Sequence, residues 1–356
     1  MNLGNKKSNL LILLAVFIVG GCGNFSGNYE EIESSTSSES TTTTTSSDST
    51  ASFVAVGGDG TILTSSDLTT WTSRESGTSN SLNGVTFGKY SYVAVGDNGT
   101  ILTSPDGMTW TSRTSGTSNS LSEVTSTKEY NCACAHSTFV AVGDNGTILT
   151  SPDGTTWTSR TSGTSNSLNG VTYVRHSTFL TKFVAVGDNG TTLMSPDGIS
   201  WTSRTSGTTN SLNGVAYIGN HTVAGDGTML TSSDLVAVGD NGTILTTSNA
   251  YTLTPRTSGI SNSLSEIAYG DSVYMTVGAN GHVITSPDGT TWTSRTSGTS
   301  SGLSGITFAN DYPFGNSTFV TVGALGTILT SSDNGITWAS RASGITKSLQ
   351  GVAYKE

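Results

Sequence analysis

The sequence predicts an all-β fold, a seven-bladed β-propeller of four-stranded blades, from three observations. Seven Val-Gly pairs recur at intervals of 39 to 52 residues, a period typical of propeller blades. Each interval contains four short β-strand patterns. The first and last patterns are circularly offset, so that the final strand can complete the first blade. The glycines of the pairs are Gly57, Gly96, Gly143, Gly187, Gly239, Gly278 and Gly323.

Four strand patterns follow one another in each unit. They are of the types SLNGVTF, FVAVG, GTILTS and TWTSR, rich in the β-branched and aromatic residues that strands favour. Between the second and third lies a turn such as Asp97-Asn98-Gly99, which predicts a two-residue hairpin because both central positions need positive φ. Each unit is therefore expected to form one antiparallel sheet.

The offset of the repeats predicts a closed ring. The domain opens on a second-type strand, Phe53–Gly57, and ends on a first-type strand, Gly351–Tyr354. Pairing these two would complete the first blade and remove an open sheet edge. An open solenoid would instead need polar caps, and the sequence contains none.

The N-terminal segment predicts export and anchoring. Residues 1–21 combine Lys6 and Lys7 with an apolar stretch at 10–19, as in a secretory signal peptide. Val19-Gly20-Gly21-Cys22 resembles the bacterial lipobox, which implies lipidation of Cys22 and a membrane anchor. Gly23 in place of Asp implies outer-membrane sorting in a Gram-negative host. Residues 22–52 are then a lipidated Cys and Ser/Thr-rich tether, and residues 53–356 the propeller.

One segment departs from the repeat. Residues 221–234 resemble a second-plus-third strand pair and directly precede a regular pair. We interpret them as an inserted hairpin; a truncated eighth blade is the alternative.

A second motif lies between the third and fourth strand patterns. Residues 331–338 read SSDNGITW and fit the Asp-box pattern S-x-D-x-G-x-T-W, and five other units carry shorter or looser versions. The chain thereby resembles the Asp-box, or bacterial neuraminidase repeat, propellers. It is most similar to the group of photosystem II stability/assembly factor-like proteins, which bind a protein partner during assembly. The residues assigned to the box are Asp67, Trp71, Asp106, Trp110, Asp153, Trp157, Asp197, Trp201, Asp288, Trp292, Ser331, Asp333, Gly335 and Trp338.

The chemistry of this box is structural. A carboxylate in a tight turn accepts backbone N–H bonds, glycine supplies positive φ, and tryptophan offers a large apolar face. The fifth unit has Leu253 where tryptophan is expected. An arginine that follows in all seven units, such as Arg74 or Arg113, is expected to tie blade to blade.

Composition and charge exclude several functions. The formal net charge is −10, with no basic stripe, so nucleic acid is not an expected partner. Sialidases share the box but need an Arg triad, and every arginine except Arg175 is the repeated one. Four histidines and abundant turn aspartates provide no evident catalytic set, although paired carboxylates stay open. We predict no enzyme activity, cofactor or metal.

The segment Cys132-Ala133-Cys134-Ala135-His136 carries metal-ligand residue types. Three interpretations stay open: incidental residues, a strained disulfide or redox pair, and a metal site. We favour the first, because His136 is partly derived from the repeat.

Four insertions depart from the repeated sequence pattern. They cover 126–138, 174–182, 218–234 and 309–318, and all join a first-type to a second-type strand. Since scaffolds carry specificity in variable loops, we predict partner binding there through Tyr130, Tyr312 and Phe314. The predicted function is a non-catalytic envelope lipoprotein that binds a protein or surface glycan. The alternative is a glycan-active Asp-box enzyme.

Overall fold

The computed structural model describes residues 52–88, 90–127, 139–174, 183–217, 235–247, 252–310 and 317–355. Within these ranges the chain forms seven four-stranded antiparallel sheets, arranged as the blades of a β-propeller. The predicted fold class is confirmed. The predicted hairpin at 221–234 lies outside the described residues. No helix in the described part of the chain is both long and apolar enough to cross a membrane.

The strands follow the chain in order, and we number the blades accordingly. Blade 1 contains β1 (Phe53–Gly57), β2 (Thr61–Ser65), β3 (Thr72–Arg74) and the last strand, β28 (Leu349–Tyr354). Blade 2 contains β4 (Leu82–Gly88), β5 (Ser91–Gly96), β6 (Thr100–Ser104) and β7 (Thr111–Arg113). Blade 3 contains β8 (Leu121–Ser126), β9 (Phe139–Gly143), β10 (Thr147–Ser151) and β11 (Thr158–Arg160). Blade 4 contains β12 (Leu168–Tyr173), β13 (Phe183–Gly187), β14 (Thr192–Ser195) and β15 (Thr202–Arg204).

The remaining three blades repeat this order. Blade 5 contains β16 (Leu212–Tyr217), β17 (Leu235–Gly239), β18 (Thr243–Thr247) and β19 (Thr254–Arg256). Blade 6 contains β20 (Leu264–Gly270), β21 (Val273–Gly278), β22 (Val283–Ser286) and β23 (Thr293–Arg295). Blade 7 contains β24 (Leu303–Ala309), β25 (Thr318–Gly323), β26 (Ile328–Ser331) and β27 (Ala339–Ser340).

The ring closes through its two ends, as the offset of the repeats predicts. Strand β28 pairs antiparallel with β1, with Phe53 opposite Tyr354 and Val54 opposite Ala353. The rings of Phe53 and Tyr354 lie 4.9 Å apart. Blade 1 is thus the only one of the seven sheets built from both ends of the described chain.

The apolar second strands build the core from both of their faces. Side chains alternate along a strand, so neighbours point to opposite sides of the sheet. In β1, Val54 and Val56 join the hydrophobic cluster toward blade 2, whereas Phe53 and Ala55 join the cluster toward blade 7. Seven such clusters lie between successive blades. The fold is therefore held by contacts between sheets, which explains why the second strands are apolar throughout.

The glycine of each Val-Gly pair is required by a close approach of the backbone. A Cβ on Gly96 would lie 2.0 Å from the carbonyl oxygen of Ser81, which no side chain tolerates. The next residue, Asp97, donates its N–H to that same carbonyl at 2.9 Å. The repeat keeps glycine here because the chain entering the first strand passes directly over it.

The turn between the second and third strands has the positive φ angles that the sequence predicts, but it is one residue longer than predicted. Asn98 has φ of 54° and Gly99 has φ of 66°. The connection, however, comprises the three residues Asp97–Gly99 between β5 and β6. Asp97 adopts a helical conformation first, so the turn is a short 3-10 turn rather than a two-residue hairpin loop.

The first strands of all seven blades pack side by side around the ring axis. Residues from each of them line one cavity of about 170 Å³, which we call the central channel. Because the four strands of a blade alternate in direction, the first-to-second and third-to-fourth connections emerge on the same side. We call this side the box face, since it carries the Asp-box segments.

Candidate functional site

Six tight turns on the box face are each built around one aspartate. In blade 2, Asp106 Oδ1 accepts the backbone N–H of Met108 at 2.8 Å and of Thr109 at 3.0 Å. The hydroxyl of Ser104 donates to the same oxygen at 2.9 Å and accepts the N–H of Gly107 at 2.8 Å. Carboxylate and hydroxyl together satisfy donors that the tight turn leaves unpaired. Equivalent bonds surround Asp67, Asp153, Asp197, Asp288 and Asp333.

These bonds keep the box carboxylates ionised. The N–H of Thr70 is the largest influence on Asp67, and the pKa of that carboxyl is lowered to about 2. At Asp288, burial raises the pKa, but the donors of Thr291, Thr290 and Ser286 outweigh it and lower the pKa to about 2. The other four pKa values are lowered as well, at Asp106, Asp153, Asp197 and Asp333. The box face therefore carries six negative charges at neutral pH.

The box tryptophans seal the junctions between blades. Trp110 of blade 2 packs against the cluster between blades 1 and 2, and its Nε1–H donates to the carbonyl of Gly107 at 2.9 Å. Trp157 packs in the same way between blades 2 and 3. The other box tryptophans also pack between their own blade and the preceding one; they are Trp201, Trp292, Trp338 and Trp71. In blade 5, Leu253 occupies this place. Each box thus holds its blade against the preceding one.

The repeated arginine bonds within a blade, whereas the sequence predicts a tie between blades. Arg113 Nε donates to Thr103 Oγ1 at 2.8 Å, which joins the fourth strand to the third. The same bond forms in six blades, from Arg74, Arg113, Arg160, Arg256, Arg295 and Arg341. In blade 4, Met194 stands where the other blades have the acceptor threonine.

Asparagines on the first strands provide a tie between blades instead. Asn83 Nδ2 donates to Asp97 Oδ1 in its own blade and to the carbonyl of Leu121 in the next, both at 3.0 Å. Asn169 and Asn213 make the equivalent pairs of bonds. The aspartate of the Asp-Asn-Gly turn therefore also orients an inter-blade amide.

Several predicted site residues lie outside the described residues and stay predictions. They are the lipidation site Cys22, the thiols Cys132 and Cys134, and the partner-binding aromatics Tyr130, Tyr312 and Phe314. Among described residues, no three His, Cys, Asp or Glu side chains are placed to hold a metal ion. His282 lies in the turn after β21, where its Nδ1 is 2.9 Å from the carbonyl of Ala279. It occupies the position of a threonine such as Thr100, whose hydroxyl makes the same bond at 2.6 Å.

A cleft of about 490 Å³ opens on the box face where blade 7 meets blade 1. Its walls include Phe53, Leu68 and Tyr354 from blade 1, and Trp338 and Arg341 from blade 7. The two boxes that border it differ from the others. Leu68, with φ of 63°, replaces the usual glycine, and the box of blade 7 is one residue longer. In both, at Trp71 and Trp338, the buried indole Nε1 has no partner in the described part of the chain. We call this the seam cleft.

Sequence reasoning missed two carboxylates that the fold brings into the central channel. Glu123 on β8 and Glu266 on β20 both line the 170 Å³ cavity. Burial raises the pKa of Glu123, and burial together with the charge of Glu123 raises that of Glu266. The available signal was the change from SLNG to SLSE in units 3 and 6.

The channel pair does not fit the carboxylate chemistry of glycoside hydrolysis. Such enzymes need one ionised carboxylate and one protonated carboxyl. Here burial raises the pKa values of both Glu123 and Glu266, so their surroundings do not separate the two carboxyls into an acid and a base. The six box carboxylates are ionised but are engaged by the backbone of their own turns.

Comparison with known proteins supports the architecture. No protein-family model matches the chain, and no curated protein matches it. A solved structure of YCF48 bound to D1 peptide is similar, with a TM-score of 0.53 and 16% identity over 74% of this chain and 81% of that chain. YCF48 from Cyanidioschyzon merolae is similar with a TM-score of 0.52 and 18% identity, over 76% and 87%. At these identities the likeness shows the propeller fold.

Proposed function

We propose that the protein is a non-catalytic, lipid-anchored scaffold of the bacterial cell envelope, and that its propeller binds a protein partner on the box face. The observation that carries the proposal is the seam cleft. Its aromatic and aliphatic walls lie beside Asp67 and Arg341, a combination suited to holding a peptide segment of a partner.

Three further observations support this function. The strands that flank all four insertions end on the same face as the cleft. A structurally similar propeller, YCF48, has been solved with a peptide bound. The lipobox-like segment ending at Cys22 would hold the domain at a membrane, with residues 23–52 as the tether.

The charge of the box face indicates which partner segments fit. The six ionised carboxylates are distributed over the boxes of this face, and one of them, Asp67, lines the cleft, where it attracts cationic groups. An apolar segment flanked by Lys or Arg is therefore the partner chemistry that we propose.

The test is capture of partners from envelope extracts by the tagged full-length protein, followed by affinity measurement with the captured partner. Leu68→Gly removes one apolar wall, and glycine adopts the local positive φ without strain. We expect about tenfold weaker binding, since a truncated interface anchor costs roughly 1–2 kcal/mol. Ile199→Thr, an exposed change in the box of blade 4, is the matched control and should bind normally.

Two results would contradict the proposal. One is unchanged capture by Leu68→Gly and by a Tyr312→Ala, Phe314→Ala double variant. The other is turnover on a panel of glycan substrates, which would favour an enzyme. Cys22→Ser tests the anchor separately: the protein should leave the membrane fraction while its affinity for the partner stays the same.

A further inference from the structure

One position on the first strands distinguishes two blades from the other five. It carries glycine at Gly84, Gly170, Gly214, Gly305 and Gly351, and glutamate at Glu123 and Glu266. The glutamates belong to blades 3 and 6, which are as far apart around the ring as seven blades permit. Both nevertheless line the same small channel cavity.

Each glutamate is accommodated by the glycine at the same position of the preceding blade. A Cβ on Gly214 would lie 2.7 Å from Glu266 Oε1, and one on Gly84 would lie 3.2 Å from Glu123 Oε1. The carboxyl groups therefore fill space that the neighbouring side chains leave free. Each also accepts one backbone N–H, from Val124 and from Ile267, at 2.9 Å. Their positions are set by the ring and by these two bonds.

In the part of the chain that the structure describes, no cationic side chain lines the channel beside the two carboxyl groups. Among the described residues that line the channel, none is Lys, Arg or His, and the polar neighbours are Thr86, Thr125 and Gln350. The turns packed against β8 and β20 add the acidic groups of Asp97 and Asp240. Titratable tyrosines on the packed strands lie in or against the inter-blade clusters instead, at Tyr92, Tyr173, Tyr217, Tyr269 and Tyr274.

Two ionised carboxylates in a narrow channel without a counter-ion would repel each other and would lose hydration. Protonation relieves both costs. In agreement with this, burial raises the pKa of Glu123 to about 8, and burial and the charge of Glu123 raise that of Glu266.

We propose that Glu123 and Glu266 form a proton-holding pair that makes the closed ring sensitive to pH, tight while the carboxyls are protonated and loosened once both are charged. The closing strand β28 takes part directly, since Gln350, Gly351 and Val352 belong to the channel wall. The strand that joins the two ends of the propeller thus lines the cavity in which the two carboxylates would repel each other.

The direction of the pH effect follows from the raised pKa values. In the unfolded chain a glutamate titrates near 4.5, and in the folded ring Glu123 titrates near 8. The stabilisation by the protonated pair is complete below about pH 4.5 and is lost as the pH rises through about 8. Ring stability should therefore fall between about pH 4.5 and about pH 8 and change little above that range.

The test measures thermal unfolding of the full chain from pH 5 to pH 9. We expect the midpoint of the wild type to fall by about 5 °C or more over this range, and that of a Glu123→Gln, Glu266→Gln double variant to stay nearly level. Glu75→Gln, which removes an exposed carboxylate outside the channel, is the control and should keep the wild-type slope. Equal slopes in the wild type and the double variant would overturn the proposal.

If the double variant does not fold, two measurements on the wild type test the proposal. Carbon-13 resonances of labelled glutamate carboxyls should include two that titrate well above the ordinary value of about 4.5. Titration of all of them near that value would overturn the proposal. Calcium or magnesium chloride at pH 8 should not restore stability. Restoration by either cation would assign the pair to a metal ion rather than to protons.

Discussion

The carboxyl groups of the box face and those of the central channel are chemically alike, but their pKa values are shifted in opposite directions. Asp288 on the box face receives two backbone N–H bonds and a hydroxyl bond, and its pKa falls to about 2. Glu123 in the channel receives one N–H bond and is half-buried between the first strands, and burial raises its pKa. The number of donors and access to water decide the difference. Box carboxylates stabilise turns as charged groups, whereas channel carboxyls are tolerated as neutral ones.

A third carboxylate in the channel should have the largest effect. Gly214→Glu places a second acid beside Glu266, and a Cβ there lies only 2.8 Å from the Cα of Glu266. We expect a loss of about 3 kcal/mol or more in the free energy of unfolding, from overpacking and from the desolvation of a further carboxyl group. Denaturant unfolding at pH 7 measures it.

Two controls separate the causes of that loss. Gly214→Ala reports the Cβ alone and should cost less. Ile199→Glu adds a carboxylate at an exposed box position and should change stability by less than about 0.5 kcal/mol. The comparison fails if Gly214→Glu costs no more than Gly214→Ala.

Removal of one box charge should have an intermediate effect with the opposite pH dependence. Asp288→Asn keeps an acceptor but loses the charge, and we expect a cost of about 1 kcal/mol at pH 7. The pKa of Asp288 is depressed in the fold, so its contribution is present above about pH 4 and is lost as the pH falls toward 2. Between pH 2 and 5, the free energy of unfolding should change less with pH in the variant than in the wild type. An acid limb as steep as that of the wild type would show that this charge does not stabilise the turn.

The smallest effect concerns carboxylates on the face opposite the boxes. Asp97 accepts a bond from Asn83, which also reaches the carbonyl of Leu121 in the next blade. Asn83→Ser should lower stability by about 0.5–1 kcal/mol, because the shorter side chain makes neither bond. The reciprocal change in blade 3, Ser122→Asn, should raise it by a similar amount. Unchanged stability in Asn83→Ser would show that these two bonds do not stabilise the ring.

The repeated parts of the fold were predictable from sequence. Seven Val-Gly pairs and the offset between Phe53 and Tyr354 predict seven blades and their closure, and the pairing of β28 with β1 confirms both. Periodic patterns report local structure well, because each blade repeats the same contacts with its neighbours. The turn length at Asp97–Gly99 was wrong by one residue, since the positive φ values are shared by both turn types.

The exceptions to the repeat were harder to interpret. The change from Gly84 to Glu123 is visible in the sequence, but nothing local tells that this position faces the ring axis. The seam cleft also depends on two boxes that are distant in sequence, those of Asp67 and Asp333. For six of the seven repeated arginines the structure shows a bond within the blade where a tie between blades was predicted, because spacing alone does not separate a bond across strands from one across blades.

By itself, the sequence determined the number of blades, the order of strands within each, the closure of the ring and the composition of the box turns. These follow from local periodicity and from residues such as Gly99 and Asp106, whose roles depend on their immediate neighbours. Only the tertiary structure decided that Glu123 and Glu266 share one channel and that Leu68 and Trp338 border one cleft. The reason is physical: the pKa and the contacts of a side chain depend on what the closed ring places around it.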